Sequence, residues 1–232
     1  ATEWVWALVS MAIAALCGWV LIRHNLKQSE PLVPIDLLRI TPVAYAVAAS
    51  AFTFAAQMAS VVALPFYFQR ILDYSYSDIG IMLGVWSLGV GVMAPISAWL
   101  SNRMSIAIMC ALGAGMLAFA TFMLVLLGTD SAIEWVYFSM LLSGFGFGLF
   151  QTPNNRAMLA GIPRHRSAAA GGMQATTRVF GQSFGTALVA IAFTFGQESG
   201  PILGVLVAGV CATVSVGINI ARHLNPASDP DF

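Results

Sequence analysis

Seven stretches of mostly apolar residues run along this chain, at positions 4–22, 43–68, 79–100, 106–127, 135–154, 168–195 and 201–221, with polar connections between them. Each is close to the ~20 residues that a single helix needs to cross a bilayer. None alternates apolar with polar residues over the length of a barrel strand. The pattern therefore predicts helices, the remaining way to satisfy backbone polar groups in lipid. Small residues recur within the runs at four-residue spacing, as Gly80-x3-Gly84, Gly144-x3-Gly148 and Gly181-x3-Gly185; such spacing lets transmembrane helices approach closely. The expected fold class is an all-α polytopic membrane protein whose spanning runs are lettered a to g here.

Composition strengthens this expectation. Hydrophobic residues make up 59% of the chain and charged residues 9%, against roughly 25% charged in a soluble domain, and mean hydropathy is +0.83. Apolar surface in that excess has only a lipid bilayer to face. The net charge of +0 offers no electrostatic basis for a nucleic-acid partner. Cys17, Cys110 and Cys211 lie far apart within apolar runs and read as small buried residues, not as a disulfide framework or zinc ligands. The first run has no basic n-region before it and the chain begins at Ala1 without Met, so Ala1 reads as an internal start with sequence upstream.

Placement of the charges sets an expected orientation. Arg23, Lys27 and Arg39 lie in the a–b connection, Arg103 in c–d, Arg156, Arg164 and Arg166 in e–f, and Arg222 in the tail. The alternate connections hold Glu3, Asp73, Asp78, Asp130, Glu134 and Glu198, with Arg70 the one basic residue among them. Basic loops mark the cytoplasmic side, which puts the C-terminus in the cytoplasm. The long a–b connection, Pro31-Leu-Val-Pro34-Ile-Asp36-Leu-Leu-Arg39, mixes prolines with an amphipathic turn and reads as an interfacial segment. The chain thus divides into one transmembrane helix (1–22), a cytoplasmic interfacial loop (23–42), a six-helix bundle (43–222) and a cytoplasmic tail (223–232).

Run f carries the most unusual pattern. Gly171, Gln174, Arg178, Gly181, Gln182 and Gly185 follow helical spacing and share one face, with Thr177 beside it. Arg178 lies about 15 Å along the helix from Ala168, at a depth where a charge costs ~2.5–3.5 kcal/mol on insertion scales. Two readings stand: Arg178 lines a transport path or tunes a distant acid, or it is a structural arginine that snorkels and ties helix ends through carbonyls. Run e ends in Gly144-Phe-Gly-Phe-Gly148-Leu-Phe-Gln151-Thr-Pro153-Asn154-Asn155, which reads as a kinked gating end or as a plain helix terminus capped by Asn. On run b, Phe54 and Gln57 share a face with Ser50, Thr53, Val61 and Phe68; Gln57 bonds either a substrate or a neighbouring helix.

Enzyme chemistry finds no support. His24, His165 and His223 sit at the surface beside arginines, without a carboxylate or nucleophile at helical spacing. No phosphate-binding loop is present, and no metal or cofactor is expected.

The motifs resemble the C-terminal part of the fourteen-helix drug:proton antiporters of the major facilitator superfamily. The resemblance rests on residues 31–39, on Gly144 to Pro153, and most of all on Ile162-Pro-Arg-His-Arg-Ser-Ala-Ala-Ala-Gly-Gly-Met-Gln-Ala-Thr-Thr-Arg178-Val-Phe-Gly181. It implies that helix a is a linker helix, that b to g form the C-terminal half of the fold, and that an N-terminal half completes a midplane site. One departure is Asn102, where the family pattern has Asp before Arg103; another is the lack of an intramembrane acid. The expected function is proton-coupled efflux of amphipathic small molecules. The rival expectation is a non-transporting membrane scaffold.

Overall fold

The computed structural model describes residues 35–127, 131–160, 162, 166–196 and 198–225, with eight scattered positions between Val9 and Arg23. A 3-10 turn (Ile35–Arg39) leads into six helices: α1 (Thr41–Arg70), α2 (Tyr76–Leu100), α3 (Ile106–Leu126), α4 (Ile133–Leu159), α5 (Ser167–Phe193) and α6 (Ser199–Leu224). They correspond to runs b to g, and no strand occurs among the described residues. All but α5 are long and apolar enough to cross a bilayer. α5 has the length, at 27 residues, but its Gly, Gln, Thr and Arg residues dilute the apolar content. Of run a, the described Val9, Ile13, Leu16, Trp19 and Val20 are exposed; Glu3, Lys27, Pro31, Pro34, Asp130, Arg164 and the tail beyond Asn225 lie outside the described residues.

Local chemistry accounts for several helix ends. α1 opens with Pro42 in its first turn, where a missing N–H costs nothing. At the start of α2, Ser75 Oγ accepts from the Asp78 N–H at 3.3 Å and donates to the Asp78 carboxylate at 2.7 Å, a side-chain N-cap. After α5 the chain turns at Gly196, whose φ of 116° suits a residue without Cβ.

α1 is the central helix, packed chiefly on α6 and α5, while α4 packs on α2 and α3. One large core cluster joins Tyr67, Phe68, Met82, Leu124, Met140 and Val205. Within it the Tyr67 hydroxyl donates to the Leu124 carbonyl at 2.8 Å, so its polar tip is satisfied. Outside, Ile81, Leu88, Leu112, Phe119 and Val210 are exposed, an apolar coat suited to lipid tails. Trp99 and Trp135, near helix ends, are exposed too, and the Arg103 guanidinium lies 4.2 Å from the Trp99 ring, the amphipathic pairing expected at a membrane interface.

The two ends of the bundle differ in charge. Burial pushes the Tyr74 phenol above its ordinary value, with smaller contributions from Tyr137, Asp78 and Glu134, so the α1–α2 turn and the start of α4 share one acidic end. At the other end Arg156 donates to Ser101 Oγ at 2.5 Å and to Asn102 Oδ1 at 2.8 Å.

Four sequence expectations change here. Gly80 and Gly84 meet open space where a side chain would stand, so this pair joins no helices within the described bundle. Arg222, counted from sequence as the basic residue of the tail, is 1% exposed within the last turn of α6. Cys17 is exposed, whereas Cys110 and Cys211 are buried. Finally, α4 does not end in capping asparagines at run e's boundary but continues through Pro153 to Leu159. Pro153 cannot donate to the Leu149 carbonyl four residues back; Ser97 Oγ from α2 does so instead, at 3.1 Å.

Candidate functional site

α5 and α4 supply most of the site, and their packing sets its shape. On α5 the buried residues Met173, Thr177, Gly181, Gly185 and Val189 recur every fourth position. At 100° per residue such a stripe drifts about 40° around the helix with each step. α5 therefore crosses α1 obliquely. In its second half Gly181 rests on the Ala51 carbonyl and Gly185 on the backbone of Ala55. In its first half Gly171, Gln174 and Arg178 border a cavity instead. The single polar face expected from sequence is thus two surfaces, one for packing and one that is open.

α4 is anchored as tightly. A Cβ on Gly144 would run into the Trp86 carbonyl of α2, and one on Gly148 would lie 2.9 Å from the Val90 carbonyl. On the other side Gly113 of α3 meets Gly146, where a Cβ would lie 2.6 Å from the Gly146 carbonyl. Held by these crossings, α4 turns Gln151 and Asn155 to the same cavity as α5.

The cavity has a volume of about 240 Å³ and is lined by Phe54, Gln151, Asn155, Gly171, Gln174, Ala175 and Arg178. Five of the nine path residues named from sequence meet there, drawn from α1, α4 and α5. Phe54 is 4% exposed and stands edge-on to Phe147 at 5.6 Å, itself 5.7 Å from Trp86. Arg178 is exposed on the open flank of α5. Chemically the cavity offers one guanidinium, three amides and an aromatic wall, and no group able to act as nucleophile or general base. Among the described residues no cluster of His, Cys, Asp and Glu could hold a metal ion.

The other four do not line this cavity. Gln57 is half-buried, with a buried Oε1 that has no hydrogen-bond partner. Asn154 is fully buried and donates through Nδ2 to the Ala46 carbonyl of α1 at 3.0 Å. Thr177 is buried and donates to the Met173 carbonyl of its own helix at 2.8 Å. Gln182 is half-buried, and its backbone carbonyl accepts from Thr186.

Sequence reasoning missed a buried polar ladder between α1 and α6. Thr53 and Ser215 share a hydrogen bond of 2.7 Å, Ser215 Oγ donates to the Ala49 carbonyl at 3.2 Å, and Asn219 Nδ2 donates to the Ser215 carbonyl at 2.8 Å. Arg222 continues the same α6 face one turn on. The signal was present: Ser215, Asn219 and Arg222 fall at i, i+4 and i+7 in an otherwise apolar run.

Residues 1–186 match the family model described as Major Facilitator Superfamily. An uncharacterized transporter of Escherichia coli K12, YebQ, is 37% identical over 218 residues, covering 94% of this chain and 48% of the relative. The riboflavin transporter RibZ of Clostridioides difficile is 27% identical over 146 residues, 61% of this chain and 32% of the relative. The multidrug resistance protein Stp of Mycobacterium tuberculosis is 24% identical over 185 residues, 80% of this chain and 34% of the relative. The chain therefore spans 32–48% of these relatives' length. An all-helical bundle with an apolar coat, matched over most of its length to this family, is a multi-pass membrane protein, and the chain belongs to the Major Facilitator Superfamily of transporters.

Proposed function

We propose that this chain is the C-terminal half of a secondary active transporter of a bacterial inner membrane, one that exports amphipathic small molecules in exchange for protons. The observation that carries the reading is the cavity where Phe54, Gln151, Asn155, Gln174 and Arg178 converge from three helices. An amphipathic guest suits an aromatic wall beside amides and one charge. In this reading residues 1–22 are a linker helix, 23–42 an interfacial loop, 43–222 the transporter half and 223–232 a cytoplasmic tail. The end bearing Arg39, Arg103, Arg156 and Arg222 faces the cytoplasm. A second bundle supplies the opposite wall, and alternating access follows from rocking the two about the midplane.

Proton coupling is assigned to that second bundle. Within α1–α6 the acidic side chains are Asp78 and Glu134, both in first turns at the acidic end, too far out to serve a midplane site. The relative named for multidrug resistance supports export as the direction. The test is efflux of fluorescent amphiphiles from everted vesicles containing the full-length protein. Flux that collapses with the proton gradient is expected; flux indifferent to the gradient removes the coupling, and no flux of any substrate removes the transporter reading.

A further inference from the structure

The charge on the cavity wall is of one sign. Arg178 is the twelfth residue of α5, roughly 16 Å from the helix start at 1.5 Å per residue, and the remaining lining residues are Phe54, Ala175, a glycine and three amides. No carboxylate from α1–α6 reaches this depth, since Asp78 and Glu134 belong to first turns at the acidic end. A guanidinium presents five N–H donors in a planar fork that matches an oxyanion. The amides of Gln151, Asn155 and Gln174 add donors without adding charge. An entering cation would meet a like charge with no acid of α1–α6 at this depth to offset it; an entering anion would meet its counter-charge and up to three more donors.

The size of the space narrows the guest. About 240 Å³ falls below the roughly 300–1,000 Å³ of pockets that enclose a whole drug-sized ligand. This half therefore takes a head group and the ring that bears it. Phe54, held edge-on by Phe147 and backed by Trp86, supplies an aromatic surface next to the charged end.

We propose that this cavity selects organic anions, an oxyanion head such as carboxylate or sulfonate carried on a flat apolar ring, and that Arg178 is the residue that discriminates them from cations. The assignment rests on the transporter reading above and names its substrate class.

The experiment uses the full-length transporter in proteoliposomes with an imposed proton gradient. Three probes share one ring and differ in head charge: 2-naphthalenesulfonate, neutral 2-naphthalenesulfonamide and (2-naphthyl)trimethylammonium. Ethidium serves as an unrelated cation. The sulfonate is expected to move at least ten-fold more efficiently than the ammonium. Arg178→Met should abolish most of that ratio by lowering sulfonate flux at least ten-fold while sparing the sulfonamide; Arg178→Lys should retain an intermediate ratio, which separates charge from folding. Equal flux of sulfonate and ammonium in the unaltered protein overturns the inference. So does an Arg178→Met variant that slows all probes alike, the behaviour of an arginine paired with an acid elsewhere in the transporter. Ethidium flux without sulfonate flux overturns the substrate class and leaves the transporter intact, whereas no flux of any probe overturns both.

Discussion

Helices α4 and α5 are each 27 residues long and each carry several glycines, yet they use them differently. In α4, Gly144, Gly146 and Gly148 all lie where a neighbouring backbone leaves no room for a side chain. In α5, Gly181 and Gly185 behave the same way, while Gly171 has nothing within 4 Å of where a Cβ would stand. A glycine at a backbone crossing allows two helices to touch; a glycine at a cavity wall leaves space. The difference lies in what stands opposite, a tertiary fact that four-residue spacing does not encode.

Filling the closed seam should have the largest effect. Gly144→Val puts a branched side chain against the Trp86 carbonyl, so α2 and α4 must separate; overpacking costs typically 1–3 kcal/mol, and about 3 kcal/mol or more is expected with backbone as the obstacle. Thermal unfolding and size-exclusion profiles of the detergent-solubilised protein should show a strongly destabilised or aggregated variant. Gly84→Val, at an open position, should stay within about 0.5 kcal/mol of the parent. Equal damage at both sites would mean that a backbone opposite Gly144 does not set it apart from Gly84.

The next effect tests how α4 is held past its proline. Ser97→Ala removes the donor to the Leu149 carbonyl and leaves a buried acceptor unpaired, a cost of about 1–3 kcal/mol. Pro153→Ala restores a backbone N–H able to serve that same carbonyl. The double variant should therefore be less destabilised than the sum of the two single ones, with a coupling of about 1 kcal/mol in a thermal-unfolding cycle. Strict additivity would show that the serine does not compensate for the proline.

On the open side the expected effects are on transport rather than stability. Gln174→Ala and Asn155→Ala each remove one cavity amide. A hydrogen bond inside a membrane protein is worth ~0.6–1.7 kcal/mol, which corresponds to a fall of about 3- to 20-fold in substrate flux with the unfolding temperature unchanged. Loss of stability in step with flux would place these amides in the structural seam instead.

Much of the architecture was legible along the chain because a spanning helix must satisfy its own backbone and coat itself with apolar side chains. The six described helices coincide with runs b to g on that account. Their ends were less legible. Run e loses its apolar pattern near Pro153, and the serine that serves the freed carbonyl lies 52 positions away. The polar face of run f was visible as a pattern, but its division between seam and cavity depends on the angle at which α5 crosses α1. The burial of Arg222 was hidden for another reason. A basic residue near the end of the last run looks like an ordinary interfacial arginine until the ladder of Ser215 and Asn219 beneath it is seen.

The smallest expected effect is also the sharpest comparison, because it makes one substitution in both settings. Gly144→Ala adds a single methyl group that runs into the Trp86 carbonyl and should destabilise. Gly171→Ala adds the same group to the same kind of helix, where it meets nothing within 4 Å. At an unstrained helical site, replacing glycine with alanine stabilises by about 0.4–1 kcal/mol, chiefly by restricting the unfolded chain. The two variants should therefore shift the unfolding temperature in opposite directions. Gly171→Ala also places a methyl at the wall of a cavity of about 240 Å³, so a bulky substrate should move more slowly through a protein that has become slightly more stable. A glycine kept for packing cannot show that combination. If Gly171→Ala instead destabilises, another part of the transporter rests on that position, and the space beside Arg178 is a closed seam in the whole protein.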